Sequence, residues 1–245
     1  FVIHHDIPKS LESYYQETGR AGRDDGEGYC LAYYSYKDIE KLEKFMAGKP
    51  VAEQEVGHAL LQEVVGYAET SMSRRKYLLH YFGEQFDETT GLGGDMDDNV
   101  KNPKNKVEAK DEVKLLLETV LYTKEKYKPK EIVNTLAGNE NAMLKSHRTT
   151  EQPFFGKGKY KPDLFWTALL RQVLVANLIR KEIEEYGVVK ITEAGNIFIE
   201  TPVSFMMTED HTYSAKADSN IITNSMGNRG TDDKLMQMLK DLRKR

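Results

Sequence analysis

The chain is 245 residues long, 39% hydrophobic and 10% aromatic, with a formal net charge of −4 at pH 7. That size and composition suit one large domain or two to three small ones with buried cores, and no run approaches the roughly 18 apolar residues of a membrane span. Negative net charge restricts any attraction for nucleic acid to local basic surfaces, and a single cysteine, Cys30, excludes an internal disulfide or a cysteine-rich zinc site.

The chain opens at Phe1 inside a β-prone run, FVIHHDI, without an initiator Met, and reads as a piece of a longer protein. Ser10 is placed to cap a helix running toward Gln16, the glycine-rich GRAGRDDGEG breaks it, and YCLAYYS reads as a second strand. This order over residues 1–47 predicts a βαβ unit at the edge of a parallel α/β sheet. Two helical patterns over 48–100, around VAEQEVGHALLQEVVGYA and SRRKYLLHYFGEQF, predict a helical hairpin packed through Leu60, Val64, Leu78, Leu79 and Tyr81. Residues 101–106 end a Gly-, Asp- and Asn-rich stretch and are expected to be a linker.

A third unit is expected over 107–202. In its first helix Val113, Leu116, Leu117, Val120 and Leu121 fall on one face. KPKEIVNTLAG follows with Pro129 near its start and Gly138 at its end, the usual helix punctuation. After a polar, basic loop, DLFWTALLRQVLVANL places Phe165, Leu169 and Val173 on one stripe with Trp166 and Leu170 beside it, and LIRKEI and VVKIT flank EEYG as a β-hairpin. Three helices and a hairpin make a winged helix-turn-helix order. Residues 203–245 are expected to be a flexible, Ser- and Asn-rich linker that enters a new helical pattern, DDKLMQMLKDLRKR.

The most specific string is SYYQETGRAGRD, Ser13 to Asp24. Arginines held on a tight glycine turn can reach across a cleft to the charge that develops on a γ-phosphate during phosphoryl transfer. QETGRAGRD resembles motif VI of superfamily 2 helicases, and FVIHHDIPKSLESYYQETGRAGR resembles the motif V to VI stretch of the RecQ helicase family. The resemblance implies that residues 1–47 close a second RecA-like motor domain. Gln16, Gly19, Arg20, Gly22 and Arg23 would face ATP, and Arg23 and Arg20 would serve as arginine-finger candidates. Asp25 stands where the family has glycine. No phosphate loop ending in Gly-Lys-Ser/Thr is present, so ATP and Mg²⁺ are expected to be held mainly by a first motor domain, and this stretch alone is expected to be inactive.

YAETSMSRRKYLLHYFGE resembles the RecQ zinc-binding subdomain, which supplies four cysteines; here Ser73 and, downstream, Gly93, Asp97 and Val100 take those places. These side chains do not supply a tetrahedral thiolate set, which leads to an expectation of no zinc. Asp95, Asp97 and Asp98 read as a solvated acidic loop. Residues 107–202 resemble the family's winged-helix RQC domain, and the tail resembles the start of an HRDC-like domain. DNA contact is expected from Lys145, Arg148, Lys157, Lys159 and Lys161, interleaved with aromatics ahead of the third helix, helped by that helix's N-terminus and by Arg171. The wing is similar to the strand-separating pin of some RecQ helicases, with Tyr186 at its tip, but Glu182, Glu184 and Glu185 repel phosphates, and a plain structural turn is the competing reading.

The fold expected is therefore mainly α with a small α/β part. The function implied by the resemblance is that of a 3′-to-5′ ATP-dependent DNA helicase of recombination and repair, cytoplasmic and nucleoid-associated, acting on duplex and forked DNA without membrane contact. The alternative is a non-catalytic winged-helix module that binds DNA or docks a protein.

Overall fold

The computed structural model describes residues 1–22, 26–182 and 185–213. Arg23, Asp24 and Asp25, the wing residue Glu184 and the helical pattern expected from Asp232 onward lie outside the described residues. The described residues divide into two compact units, 1–61 with 212–213, and 62–211.

In the first unit β1 (Val2–His4) and β2 (Cys30–Ala32) pair in parallel around α1 (Leu11–Thr18), the βαβ order read from the sequence. Ser10 is the cap: its hydroxyl accepts from the Ser13 amide at 3.2 Å and satisfies one of the orphan donors of the first turn. Leu11 and Ile7 are buried, together with Ile39 of α2 (Tyr36–Met46). α3 (Val51–Glu69) begins in this unit and ends in the second.

The second unit starts with the end of α3 and α4 (Arg74–Tyr81). Of the expected packing set Val64 is buried, together with Leu61, Tyr67 and Tyr77, whereas Leu60, Leu78, Leu79 and Tyr81 are only half-buried. α5 (Asp98–Lys101) follows. The winged helix is built from α6 (Lys110–Tyr122), α7 (Pro129–Ala137), α8 (Ala142–Ser146), α9 (Asp163–Val175), the antiparallel wing strands β4 (Ile179–Glu182) and β5 (Val188–Ile191), and α10 (Glu193–Glu200). Val113, Leu116, Leu117 and Val120 of α6 are fully buried against Ile132 and Leu136 of α7, Trp166, Leu169 and Val173 of α9, and Val189 of the wing. Leu121, expected on that face, is exposed.

Two expected linkers are not linkers where they meet. β3 (Lys106–Glu108) pairs antiparallel with β6 (Met206–Thr208), burying Met207 in the core and closing the winged helix on itself. Each run alone is only three residues long; pairing across the domain satisfies their backbone groups.

Candidate nucleic-acid interface

The basic segment after α7 is not an unstructured loop. α8 is capped by Asn141, whose side chain accepts from the Leu144 amide at 2.8 Å, and a 3-10 turn follows at Thr149–Glu151. Beyond it the chain folds back on the end of α7: the Gly156 and Gly158 amides donate to the Thr135 and Leu136 carbonyls, both at 2.8 Å. The fully buried Trp166 locks the fold-back, its indole N–H donating to the Gly158 carbonyl at 2.9 Å. Position 158 must be glycine for this approach, because a Cβ there would lie 2.6 Å from the Trp166 ring.

This frame holds Lys157 and Lys159 exposed, and neither has an ion pair among the described residues. Lys159 Nζ lies 5.9 Å from the Phe155 ring centre. Arg148 is likewise exposed and unpaired, in the left-handed region at φ 55° beside the buried Thr149, whose hydroxyl bonds the Tyr127 hydroxyl. A non-glycine residue there carries strain on the order of 1 kcal/mol, tolerated when packing over-determines the backbone. Two of the expected cations are already engaged. Lys145 pairs with Glu140 at 2.8 Å and Lys161 with Glu112 at 3.8 Å, the latter also over the Phe165 ring at 4.6 Å. An exposed pair of this kind is worth at most about 1 kcal/mol, so Lys145 can exchange Glu140 for a phosphate at little cost.

At α9 the structure sets acids against both of the expected phosphate contacts. The exposed first turn of α9 carries Asp163, fixed by the Asn139 side-chain amide at 2.6 Å, and this carboxylate compensates the positive end of the helix and competes with a phosphate there. Arg171, expected as a DNA contact, is already engaged inside the fold. Its side chain is only 14% exposed and bonds Asp210 and Glu69, the latter at 3.3 Å. Eight of the 13 residues of α9 are buried, so only its first turn, with Leu164, is open. Burial raises the Asp210 carboxyl to about 6, Glu69 adding to the rise and Arg171 opposing it. The composition of the sequence carries no mark of this cluster.

The wing stands as a hairpin with Tyr186 81% exposed at its tip, where Tyr186 and Gly187 both have positive φ. Its cations are matched by acids: Arg180 with Glu182 at 3.3 Å, Lys181 with Glu63, and Lys190 with Glu185.

In the first unit Gln16 lies exposed on α1, and Gly19 and Arg20 continue exposed into the turn. Gly22 has φ +71°, and a Cβ there would meet the Gly26 carbonyl at 2.5 Å, so glycine is required for the turn to close. Arg23, the other finger candidate, lies outside the described residues.

At the hairpin, Ser73 caps α4: its hydroxyl accepts from the Lys76 amide at 3.3 Å and donates to Asp97 Oδ2 at 3.0 Å. Asp97 in turn caps α5 by accepting from the Val100 amide at 3.0 Å, and Arg74 pairs with Asp98 at 2.5 Å. Among the described residues no group of three or more His, Cys, Asp or Glu side chains could hold a metal ion.

Comparison with known proteins matches residues 36–95 to the RecQ zinc-binding family and residues 103–216 to the RQC domain family. The chain is 29% identical over 211 residues to the ATP-dependent DNA helicase RecQ of Pasteurella multocida, covering 84% of this chain and 33% of that protein. It is 51% identical over 90 residues to the ATP-dependent DNA helicase hus2/rqh1 of Schizosaccharomyces pombe, covering 36% of this chain and 7% of that protein. It is 31% identical over 182 residues to the ATP-dependent helicase SGS1 of Saccharomyces cerevisiae, covering 67% and 12%. The chain thus spans about a third or less of the length of these curated relatives. The match over 36–95 corrects the expectation of no zinc, since the region is similar to a zinc-binding family. The side chains at 73, 93, 97 and 100 nonetheless do not fit a tetrahedral thiolate site.

Proposed function

Because the chain belongs to the RecQ family, we propose that it supplies the DNA-binding part of an ATP-dependent 3′-to-5′ DNA helicase that works on duplex and forked DNA in recombination and repair. The observation that carries the reading is the fold-back held by Gly158 and Trp166, which presents Lys157 and Lys159 rigidly and without ion pairs among the described residues. With Arg148 and an exchangeable Lys145, it offers three to four phosphate contacts on a molecule whose net charge is otherwise negative. Contacts to phosphate fix position and not sequence, as a motor that moves along DNA requires. In the intact motor Gln16, Arg20 and Arg23 would serve the phosphates of ATP, where an arginine finger is worth about 10³ to 10⁵ in rate.

The test is duplex binding followed by fluorescence anisotropy across salt concentrations. Three to four contacts give a slope of log K against log salt of about −3 to −4, and Lys157→Ala with Lys159→Ala lowers its magnitude by about 2. That double variant loses more affinity than Tyr186→Ala, because the wing's cations are already paired. The opposite order would place the grip on the wing.

A further inference from the structure

The link between α6 and α7 and the first turn of α7, residues 123–130, carry four lysines at every second position: Lys124, Lys126 and Lys128 in the link and Lys130 in the helix. All four are exposed, while Thr123 and Tyr127 between them are buried. None of the four has an ion pair among the described residues, in contrast to every wing cation. The single acid within the row, Glu125, is turned to another use, its carboxylate accepting from the Ile191 amide at 2.8 Å.

The segment is held firmly. The Tyr127 carbonyl accepts from the Val189 amide at 2.9 Å, which lays the link against wing strand β5. The Tyr127 ring stacks on His147 at 5.8 Å and its hydroxyl bonds Thr149, which joins the link to the turn that presents Arg148. Lys124 and Glu125 both lie in the left-handed region at φ 55°, a pair of strained positions that packing keeps in place. At the upstream end Tyr122, 50% exposed, stacks on the half-buried Phe154 with ring centres 5.2 Å apart and planes 17° apart.

A row of unpaired cations running from a partly exposed aromatic pair combines the two elements of sequence-tolerant single-strand recognition, charge for the backbone and a π-face for a base. We propose that Lys124, Lys126, Lys128 and Lys130 form a phosphate track for the single-stranded tail of a DNA junction, with a base stacked on the Tyr122–Phe154 pair. This rests on the reading of residues 148–159 as the duplex grip and adds to it a second surface for the other part of the same substrate.

The test uses the whole 245-residue chain, a blunt duplex, and the same duplex carrying a dT tail of about 12 nucleotides, a length within the range such sites cover. Lys126→Ala with Lys128→Ala should weaken only the tailed substrate and lower its salt slope by about 1.4, at about 0.7 per single-strand contact. Tyr122→Ala should weaken the tailed substrate about fivefold or more, and Tyr122→Phe should restore it. The inference is overturned if the lysine pair variant matches the parent on the tailed substrate or weakens the blunt duplex equally. It is also overturned if polyglutamate displaces the tail from the parent as well as oligo-dT does at equal charge, which would mark an acidic protein partner. Lys157→Ala with Lys159→Ala separates the two readings: no loss on blunt duplex refutes the duplex grip, while the tail-specific loss still decides the track. A parent chain that binds neither substrate overturns both.

Discussion

Replacing Arg171 by methionine removes the cation from a buried cluster while keeping much of the side chain's apolar volume. Glu69 and Asp210 are 11% and 12% exposed, so the variant leaves two carboxylates out of water without their counter-charge. Breaking a buried pair from one side costs about 3–5 kcal/mol, and at roughly 2–4 °C per kcal/mol for a chain of this size the melting point should fall by about 6–20 °C at pH 7.5. The pH dependence has a definite sign. In the parent the Asp210 carboxyl is raised from 3.8 to about 6, so between these values the folded state holds a proton that the unfolded state has released. The associated stability is complete below the unfolded value and is lost as pH rises through about 6, by roughly 3 kcal/mol in all. Without Arg171 the folded Asp210 carboxyl rises further, so the loss deepens and moves to higher pH, and the variant should approach the parent at pH 5. Thermal melts at pH 5 and 7.5 at constant ionic strength measure this. A variant with the parent's melting point but weaker duplex binding and a shallower salt slope would refute the reasoning and return Arg171 to the DNA interface.

Gly158→Ala drives a Cβ toward the Trp166 ring, to 2.6 Å if nothing moves, and should cost about 1–3 kcal/mol of overpacking; a red-shifted tryptophan emission and a weakened duplex complex should appear together in fluorescence and anisotropy, and retention of both parent values would show that the fold-back does not set the lysines. Ser73→Ala removes the cap of α4 and the hydroxyl bonded to Asp97, and should lower stability by about 0.5–2 kcal/mol in denaturant titrations, with duplex binding unchanged.

Much of this protein was legible one element at a time. The stripe of α6, the Pro129 and Gly138 boundaries of α7, the buried face of α9, the wing and the Ser10 cap depend on spacings of a few residues, where helix period, strand alternation and capping act. The tight turn at Gly22 and the basic stretch before α9 were legible for the same reason.

What the tertiary structure alone decided are the pairings between distant segments. Arg171 looked like a cation for DNA because nothing near it in sequence opposes it; its partner Glu69 lies 102 residues away. The strand at 106–108, which starts at the end of the expected linker 101–106, was not legible because its partner lies at 206–208. The lysines between α6 and α7 carry no signal of their own in the sequence, and only the Tyr127 bond to the wing and the stacking of Tyr122 on Phe154 make them one surface. In the hairpin, the lack of cysteines was plain in the sequence, yet the likeness to a zinc-binding family follows from the pattern of the whole region. The physical reason is common to all: local propensity sets which elements form, whereas which charges stay free for a ligand depends on desolvation and pairing, and those are fixed by whatever the fold brings into contact.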